Sequence, residues 1–177
     1  VIKSAPLPGD ALNLIDLAGT YCAADKNTDG SRFNILSAVI SFSTAVKAEQ
    51  NHIETVGIIT PYAAQVRLIR AMLKDYYTKG TTNVSCATVH QFQGSESDVI
   101  VFDAVESYPK SAVGYLMGKE PNQVARLINV AITRGKGKVI TVANARFWEN
   151  VFKGTNHIFY KLLQHIKNGN HQVIDNH

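Results

Sequence analysis

The chain has 177 residues, of which 45% are hydrophobic, enough to bury one core in a single domain. Its net charge of +4 permits contact with a polyanion without demanding it. Two cysteines are too few for a disulfide framework, no Cys/His cluster has zinc-ligand spacing, and no apolar run reaches the roughly 18 residues of a membrane span. We therefore expect no metal site, no membrane contact and a cytoplasmic or otherwise intracellular location. The start without Met predicts a piece of a longer protein.

The first third of the sequence predicts a strand, a turn and a helix. Residues 12–17 form an apolar run typical of a strand, and residues 25–31 are rich in turn-forming side chains. A helix capped by Ser31 or Asn34 is expected next. Its apolar residues recur at helical spacing, namely Ile35, Val39, Phe42 and Val46.

The middle and last thirds continue the alternation of strands and helices. Apolar runs predict strands at 56–60, 83–89, 98–105 and 138–143. Helical stripes are predicted at Val66, Ile69 and Leu73, at Val124, Leu127, Ile128 and Ala131, and in a terminal region with Phe147, Trp148, Phe159, Leu163 and Ile166. Residues 106–121 read as a loop. This order predicts an α/β fold with a mostly parallel sheet and helices on both faces.

Polar segments follow two of the predicted strands. Ligands of open parallel sheets bind beyond the carboxyl ends of the strands, so Tyr62 and Gln65, just after the 56–60 strand, are expected on that rim. The alternative is that residues 60–62 only cap the next helix. Segment 88–96 offers a hydroxyl, an imidazole, an amide, a glycine and a carboxylate, from Thr88, His90, Gln93, Gly94 and Glu96. The alternative there is a plain surface loop.

Two arginines near residue 130 are candidate phosphate ligands. Arg134 carries a guanidinium that can hold phosphate oxygens with two hydrogen bonds, as stabilisation of a phosphoryl group in transfer requires. Arg126 lies eight residues earlier on a similar face of the same predicted helix. Each also fits a surface role, at a helix end or in a salt bridge. The phosphate-cradling pattern GxxxxGK[ST] does not occur, so the chain is not expected to hydrolyse nucleotide alone.

Three ordered segments resemble motifs of one family. Residues 56–65 look like motif IV, residues 88–96 like motif V and residues 126–136 like motif VI of the second RecA-like motor domain of superfamily 1 helicases. The group related to the nonsense-mediated-decay helicase is the most similar. The likeness extends from residue 31 to about residue 152. It implies a three-layer RecA-like, P-loop-NTPase-type domain at 1–155, with a helical extension of the same domain at 156–177.

The resemblance also implies residue roles. Arg134 would be the arginine finger for ATP, which with Mg²⁺ would be held mainly by an N-terminal RecA-like domain of the same parent chain. The nucleotide would also lie near Glu96, Gly94, Gln65, Tyr62 and Arg126. Single-stranded DNA or RNA would contact Thr88, His90 and Gln93.

The sequence departs from the family at a few positions. His90 stands where the closest group usually has Asp. This position therefore does not indicate which nucleic acid is bound or in which direction the motor would move. Gly135 replaces a small alanine, which loosens a helix by up to about 1 kcal/mol. Val66 occupies a position where some members have arginine.

The sequence leaves three classes of function open. The first is the second motor domain of an ATP-dependent superfamily 1 helicase, inactive without its partner domain. The second is a standalone nucleic-acid-binding or regulatory module that uses no nucleotide. A GxxxxGK[ST] pattern upstream in the parent would separate them. The third, a small-molecule enzyme on the same fold, lacks a nucleophile and base in a plausible arrangement.

Overall fold

The computed structural model describes residues 1–78, 80–92, 94–118, 121–169 and 173–175, and of Tyr115 and 173–175 the backbone alone. Within these residues the chain forms eight strands and six helices. The strands are β1 (Leu12–Asp16), β2 (Ala24–Lys26), β3 (Arg32–Asn34), β4 (Val56–Thr60), β5 (Val84–Thr88), β6 (Ser97–Asp103), β7 (Gly135–Ala143) and β8 (Val173–Asp175). The helices are α1 (Ile35–Gln50), α2 (Ala63–Tyr76), α3 (Tyr115–Gly118), α4 (Pro121–Thr133), α5 (Ala145–Phe152) and α6 (Ile158–Asn168).

Six of the described strands form one parallel sheet in the order β5-β4-β6-β7-β1-β8. Its apolar runs are buried on both faces, as parallel sheets require. One face packs against α1 and α2, through residues such as Ile58 and Val66. The other packs against α4, α5 and α6, through residues such as Phe102 and Trp148. This three-layer α/β architecture confirms the predicted fold class.

The hairpin β2–β3 lies outside the main sheet. Its two strands pair antiparallel, with Lys26 opposite Arg32. The sequence predicted only turn-forming residues here, because the strands have three residues each and no apolar run marks them. The hairpin leads directly into α1, whose N-cap is Asn34: its side chain accepts a hydrogen bond from Ser37 N at 3.1 Å.

The buried face of α1 differs from the predicted stripe. Ile35 and Val39 are 60% and 40% exposed. The helix instead buries small and polar residues, Ser37, Ala38, Ser41, Thr44, Ala45, Val46 and Ala48. Small side chains let α1 approach the sheet and α2 closely. The stripes predicted for α2 and α4 are buried as expected.

Candidate functional site

The predicted site residues lie at two opposite edges of the sheet. Because all its strands are parallel, Thr60 and Thr88 end β4 and β5 at the same carboxyl edge. Glu96 precedes β6 and Arg134 precedes β7, so these two lie at the amino edge. The residues after β4 and β5 therefore lie at the carboxyl edge, where the sequence analysis expected ligands to bind. Glu96 and Arg134 lie at the amino edge, to which that expectation does not apply.

Residues 89–96 connect the two edges. The chain leaves the carboxyl end of β5 and enters the amino end of β6, and the residues described between them form no helix. Phe92 anchors this crossover segment in the core and is 4% exposed. It packs over Gly57 so closely that a Cβ on Gly57 would lie 2.5 Å from Phe92 Cζ. Gly94 is exposed with a φ of +84°, and Gln93 lies outside the described residues.

A cleft of about 420 Å³ opens at the carboxyl edge. Its walls come from the β2–β3 hairpin, the start of α2, the end of β5 and the chain around Gly114. Thr88 is half-buried in it and His90 is exposed in it. The cleft therefore brings two predicted strand-binding residues together with a hairpin that the sequence analysis did not assign to any site.

The floor of this cleft is a buried polar cluster around Glu106. Glu106 is 1% exposed and accepts hydrogen bonds from Tyr62 Oη, from Arg32 Nη1 and, at 2.7 Å, from Gly114 N. Arg32 Nη1 also donates to Ala112 O at 2.9 Å. Burial, and then the Glu106 carboxylate, raise the pKa of Tyr62 above its ordinary value, so its hydroxyl stays a donor.

Gln65 lies at the centre of a second buried cluster. Its Nε2 donates to Asn34 O at 3.0 Å and to Asp103 Oδ2 at 2.7 Å, and its Oε1 accepts from Asn34 N at 2.9 Å. Gln65 is 0% exposed and Tyr62 is 5% exposed. Both residues follow the carboxyl end of β4 as predicted, and Tyr62 lines the cleft, but each side chain is buried because it turns inward to a polar partner. A direct contact of Gln65 with a nucleotide would require breaking these bonds.

Arg134 is held at the amino edge by its main chain. Its carbonyl oxygen accepts a hydrogen bond from Ser97 N at 2.9 Å, which fixes the ends of α4 and the crossover segment side by side. Its side chain is half-buried, and the Nε–H is buried without a hydrogen-bond partner among the described residues. A buried N–H without a hydrogen-bond partner is uncommon in proteins.

Glu96 and Lys136 form a loose ion pair beside Arg134. Lys136 Nζ lies 3.7 Å from Glu96 Oε2, and the two side chains are 58% and 53% exposed. Since Ser97 pairs with Gly135 in the sheet, the residues on either side of Gly135 share a face with Glu96. The exposed pair Lys136 and Glu96 and the half-buried Arg134 therefore lie along the same edge. Sequence analysis did not single out Lys136.

Arg126 lies apart from Arg134. It is exposed on α4, seven residues before the end of that helix, which is on the order of 10 Å along the axis. It lines a groove of about 270 Å³ together with His90 and Gln123. The structure thus groups Arg126 with His90 near the carboxyl edge, although the sequence analysis grouped it with Arg134.

Comparison with known proteins identifies the family. A family model described as an AAA domain matches residues 6–146. Helicase sen1 of Schizosaccharomyces pombe is 36% identical over 90 residues, 50% of this chain and 5% of that protein. The DNA polymerase alpha-associated DNA helicase A of the same organism is 26% identical over 174 residues, 94% of this chain and 24% of that protein.

A third relative is named as an ATP-dependent helicase. The ATP-dependent helicase NAM7 of Saccharomyces cerevisiae is 33% identical over 112 residues, 59% of this chain and 10% of that protein. The chain spans about a quarter or less of the length of these three relatives. Among the described residues, no helix is both long and apolar enough to cross a bilayer. With the family model matched over most of its length, the chain belongs to this AAA-domain family, the C-terminal RecA-like part of superfamily 1 helicases.

Proposed function

We propose that the chain is the second motor domain of an ATP-dependent superfamily 1 helicase, with Arg134 as the arginine finger. The observation that carries the proposal is the crossover segment 89–96. One continuous piece of chain starts at the carboxyl-edge cleft with Thr88 and His90 and ends at Glu96, beside Arg134. A movement of Glu96 toward a nucleotide would therefore pull on the surface that contacts the strand.

The amino edge has the charges that a split nucleotide site needs. Arg134 and Lys136 supply two cations at the surface, and Arg134 Nε has no internal partner among the described residues. ATP with Mg²⁺, bound mainly by an N-terminal RecA-like domain of the same parent, would supply the phosphoryl group to be transferred. Arg134 would neutralise charge that develops on it, and Glu96 and Gly94 would face the same nucleotide.

The carboxyl edge supports contact with a single strand. Thr88 and His90 present a hydroxyl and an imidazole in the cleft, and Arg126 adds a cation next to His90. Gln93 is proposed for the same surface on the resemblance alone. Contacts of this kind bind the sugar–phosphate backbone with little sequence preference and weaken as salt rises.

The test is strand-stimulated ATP hydrolysis by the parent protein, comparing Arg134→Ala with wild type. Removing an arginine finger is expected to lower kcat by about 10³-fold or more while nucleotide binding persists. Arg146→Ala is the matched control, because Arg146 is an exposed arginine in the first turn of α5, which follows the carboxyl end of β7 and so lies at the opposite edge of the sheet from Arg134. Equal kcat in Arg134→Ala and Arg146→Ala would refute the finger assignment.

The alternative is a nucleic-acid-binding module that does not depend on nucleotide hydrolysis. The observation in its favour is that Thr88 and His90 line the cleft at the carboxyl edge, opposite the edge that carries Glu96 and Arg134. A parent protein that binds single strands but shows no strand-stimulated hydrolysis would support it.

A further inference from the structure

A buried lysine fastens residues 1–9 to the amino edge of the sheet. Lys138, near the start of β7, is 1% exposed. Its ammonium donates to Ser4 O at 2.6 Å, to Pro6 O at 2.8 Å and to Leu7 O at 2.9 Å. A lysine ammonium has three donors, and here each of them meets a main-chain carbonyl, because a buried charged group must be hydrogen-bonded. Residues 1–9 are named the strap below.

The strap also makes contacts of its own. Ser4 N donates to Val1 O at 3.1 Å, and Gly9 N donates to Ile2 O at 3.0 Å. Leu7 is 8% exposed and packs into the core on the face of the sheet that α1 and α2 cover. The strap is therefore a closed loop with one apolar side chain in the core, and the lysine ammonium joins its middle to β7.

The start of β7 needs support from outside the sheet, because its main chain is irregular. Two of the three residues between Arg134 and Lys138 are glycines, Gly135 and Gly137. Glycine gives the backbone more conformational freedom than any other residue. The register with β6 shifts over the same residues, which is the sign of a β-bulge. The ladder of hydrogen bonds alone therefore holds Arg134 less firmly than a regular strand would.

The strap lies directly against this irregular stretch. A Cβ on Gly137 would lie 2.5 Å from Val1 Cγ1 and 3.2 Å from Asp98 O, so Val1 packs closely on the glycine. Just beyond the strap, Ala11 O accepts a hydrogen bond from Val139 N at 2.7 Å. Together with the lysine, these contacts hold three successive residues of β7 in place.

We propose that Lys138 is a positioning residue for Arg134 and acts through the strap. By fixing the start of β7, it holds the main chain that carries the guanidinium in one place, while the exposed side chains of Glu96 and Lys136 remain able to move. The inference rests on the proposed function, because it takes Arg134 to act on a phosphoryl group. It goes beyond that function by assigning Lys138 and the strap, which none of the three motifs contains.

The first test is strand-stimulated ATP hydrolysis by the parent protein with Lys138→Met, which keeps most of the side chain's length and removes the ammonium. We expect kcat to fall between about tenfold and 10²-fold, as a small displacement of a catalytic group does, with KM for ATP and affinity for the strand unchanged. Leu163→Ala is the matched control and should keep kcat. Leu163 is buried on the opposite face of the sheet, so its loss lowers stability without touching the strap.

A second pair of variants tests the strap from the side of β7. Gly137→Ala places a Cβ against Val1, so it should displace the strap and lower kcat as Lys138→Met does. Val1→Gly removes both atoms in its way, Cγ1 at 2.5 Å and Cβ at 2.7 Å, so adding it to Gly137→Ala should bring kcat back toward wild type. A loss in Gly137→Ala that Val1→Gly does not reverse would contradict the role of the strap.

Hydrogen exchange of the 177-residue chain shows whether the strap is released. The amides of Ser4 and Gly9 should exchange about tenfold faster in Lys138→Met than in wild type or Leu163→Ala, because hydrogen bonds from a charged donor are lost locally. Unchanged exchange, or unchanged kcat in a parent that Arg134→Ala inactivates, would overturn the positioning role and leave the helicase proposal standing. Full kcat in Arg134→Ala would instead refute the arginine finger, and the role of Lys138 with it.

Discussion

The two edges of the sheet are built in opposite ways. At the carboxyl edge, Glu106 and Gln65 are fully buried, and each satisfies several hydrogen-bond partners at once. At the amino edge, Glu96 and Lys136 are more than half exposed and stand 3.7 Å apart. The carboxylates at the two edges are chemically alike, but one is locked in place and the other is free to change partner.

This difference suits the two edges to different roles. The carboxyl edge offers a rigid surface for a ligand, whereas the Glu96–Lys136 pair at the amino edge can rearrange when a ligand arrives. A cleft whose walls are fixed by buried polar contacts loses little entropy on binding. An exposed ion pair is worth little and can be exchanged for a stronger partner, such as a phosphate on another domain. The arrangement suits a chain that holds a strand at one edge and meets a nucleotide at the other.

The largest expected effect comes from removing the buried carboxylate. Glu106→Ala leaves the Arg32 guanidinium buried without a counter-charge and Tyr62 Oη without an acceptor. Breaking a buried pair on one side costs about 3–5 kcal/mol, and we expect a loss of that size in the free energy of unfolding. Urea denaturation measures it. Glu96→Ala is the matched change at the amino edge and should cost less than about 1 kcal/mol. Similar losses in the two variants would contradict the contrast between the edges.

A pH-dependent effect is expected at the carboxyl end of β6. Burial raises the pKa of Asp103 to about 6, against hydrogen bonds from Gln65 and others that lower it. Between its unfolded pKa near 3.8 and about 6, the folded protein binds more protons than the unfolded one, so this group's contribution to stability is lost as pH rises through that window. The loss is on the order of 3 kcal/mol.

Asp103→Asn isolates this contribution. The variant cannot titrate, so the difference in unfolding free energy between it and wild type should shift in favour of the variant from pH 4 to pH 7. Other titrating groups cancel in the difference. Parallel stability curves across that range would show that Asp103 does not carry the shifted proton.

The sequence predicted the layers of the fold better than the roles of its polar residues. Runs of apolar residues identify the buried parallel strands, and the apolar residues predicted to face the core from α2 and α4 are buried there. The prediction for α1 failed in part because its buried face consists mostly of serine, threonine and alanine, which a hydrophobic pattern does not identify. The α/β class and the motif order were therefore accessible without coordinates.

The buried clusters were not accessible from the sequence. Arg32 and Glu106 are 74 residues apart, and no local pattern pairs them. Tyr62 and Gln65 follow a strand end in the way that ligand-binding residues do, and nothing in their spacing shows that their side chains turn inward. The division of Glu96 and Thr88 between two edges also depends on the crossover between parallel strands, which spacing alone does not reveal.

A smaller effect is expected from the segment that joins the edges. A Cβ at Gly57 would lie 2.5 Å from Phe92 Cζ and 2.8 Å from Ile100 Cδ1, so Gly57→Ala must displace the aromatic ring that anchors the crossover segment. Overpacking of this kind costs about 1–3 kcal/mol. Gly80→Ala is the control, because nothing lies within 4 Å of its Cβ position, and it should be neutral or stabilising by up to about 1 kcal/mol. Equal thermal stability of the two variants would show that Phe92 is not tightly anchored.

The smallest effect tests the amino edge itself. A double-mutant cycle of Glu96→Ala and Lys136→Ala, followed by urea denaturation, should give a coupling energy of about 0.2–1 kcal/mol, as exposed ion pairs do. The coupling should fall further as salt is raised, because both charges face solvent. A weak coupling means that Glu96 and Lys136 can leave each other at almost no cost when a phosphate approaches Arg134. A coupling above about 2 kcal/mol would mean that this edge is as rigid as the opposite one, and the proposed response of Glu96 to nucleotide would lose its physical basis.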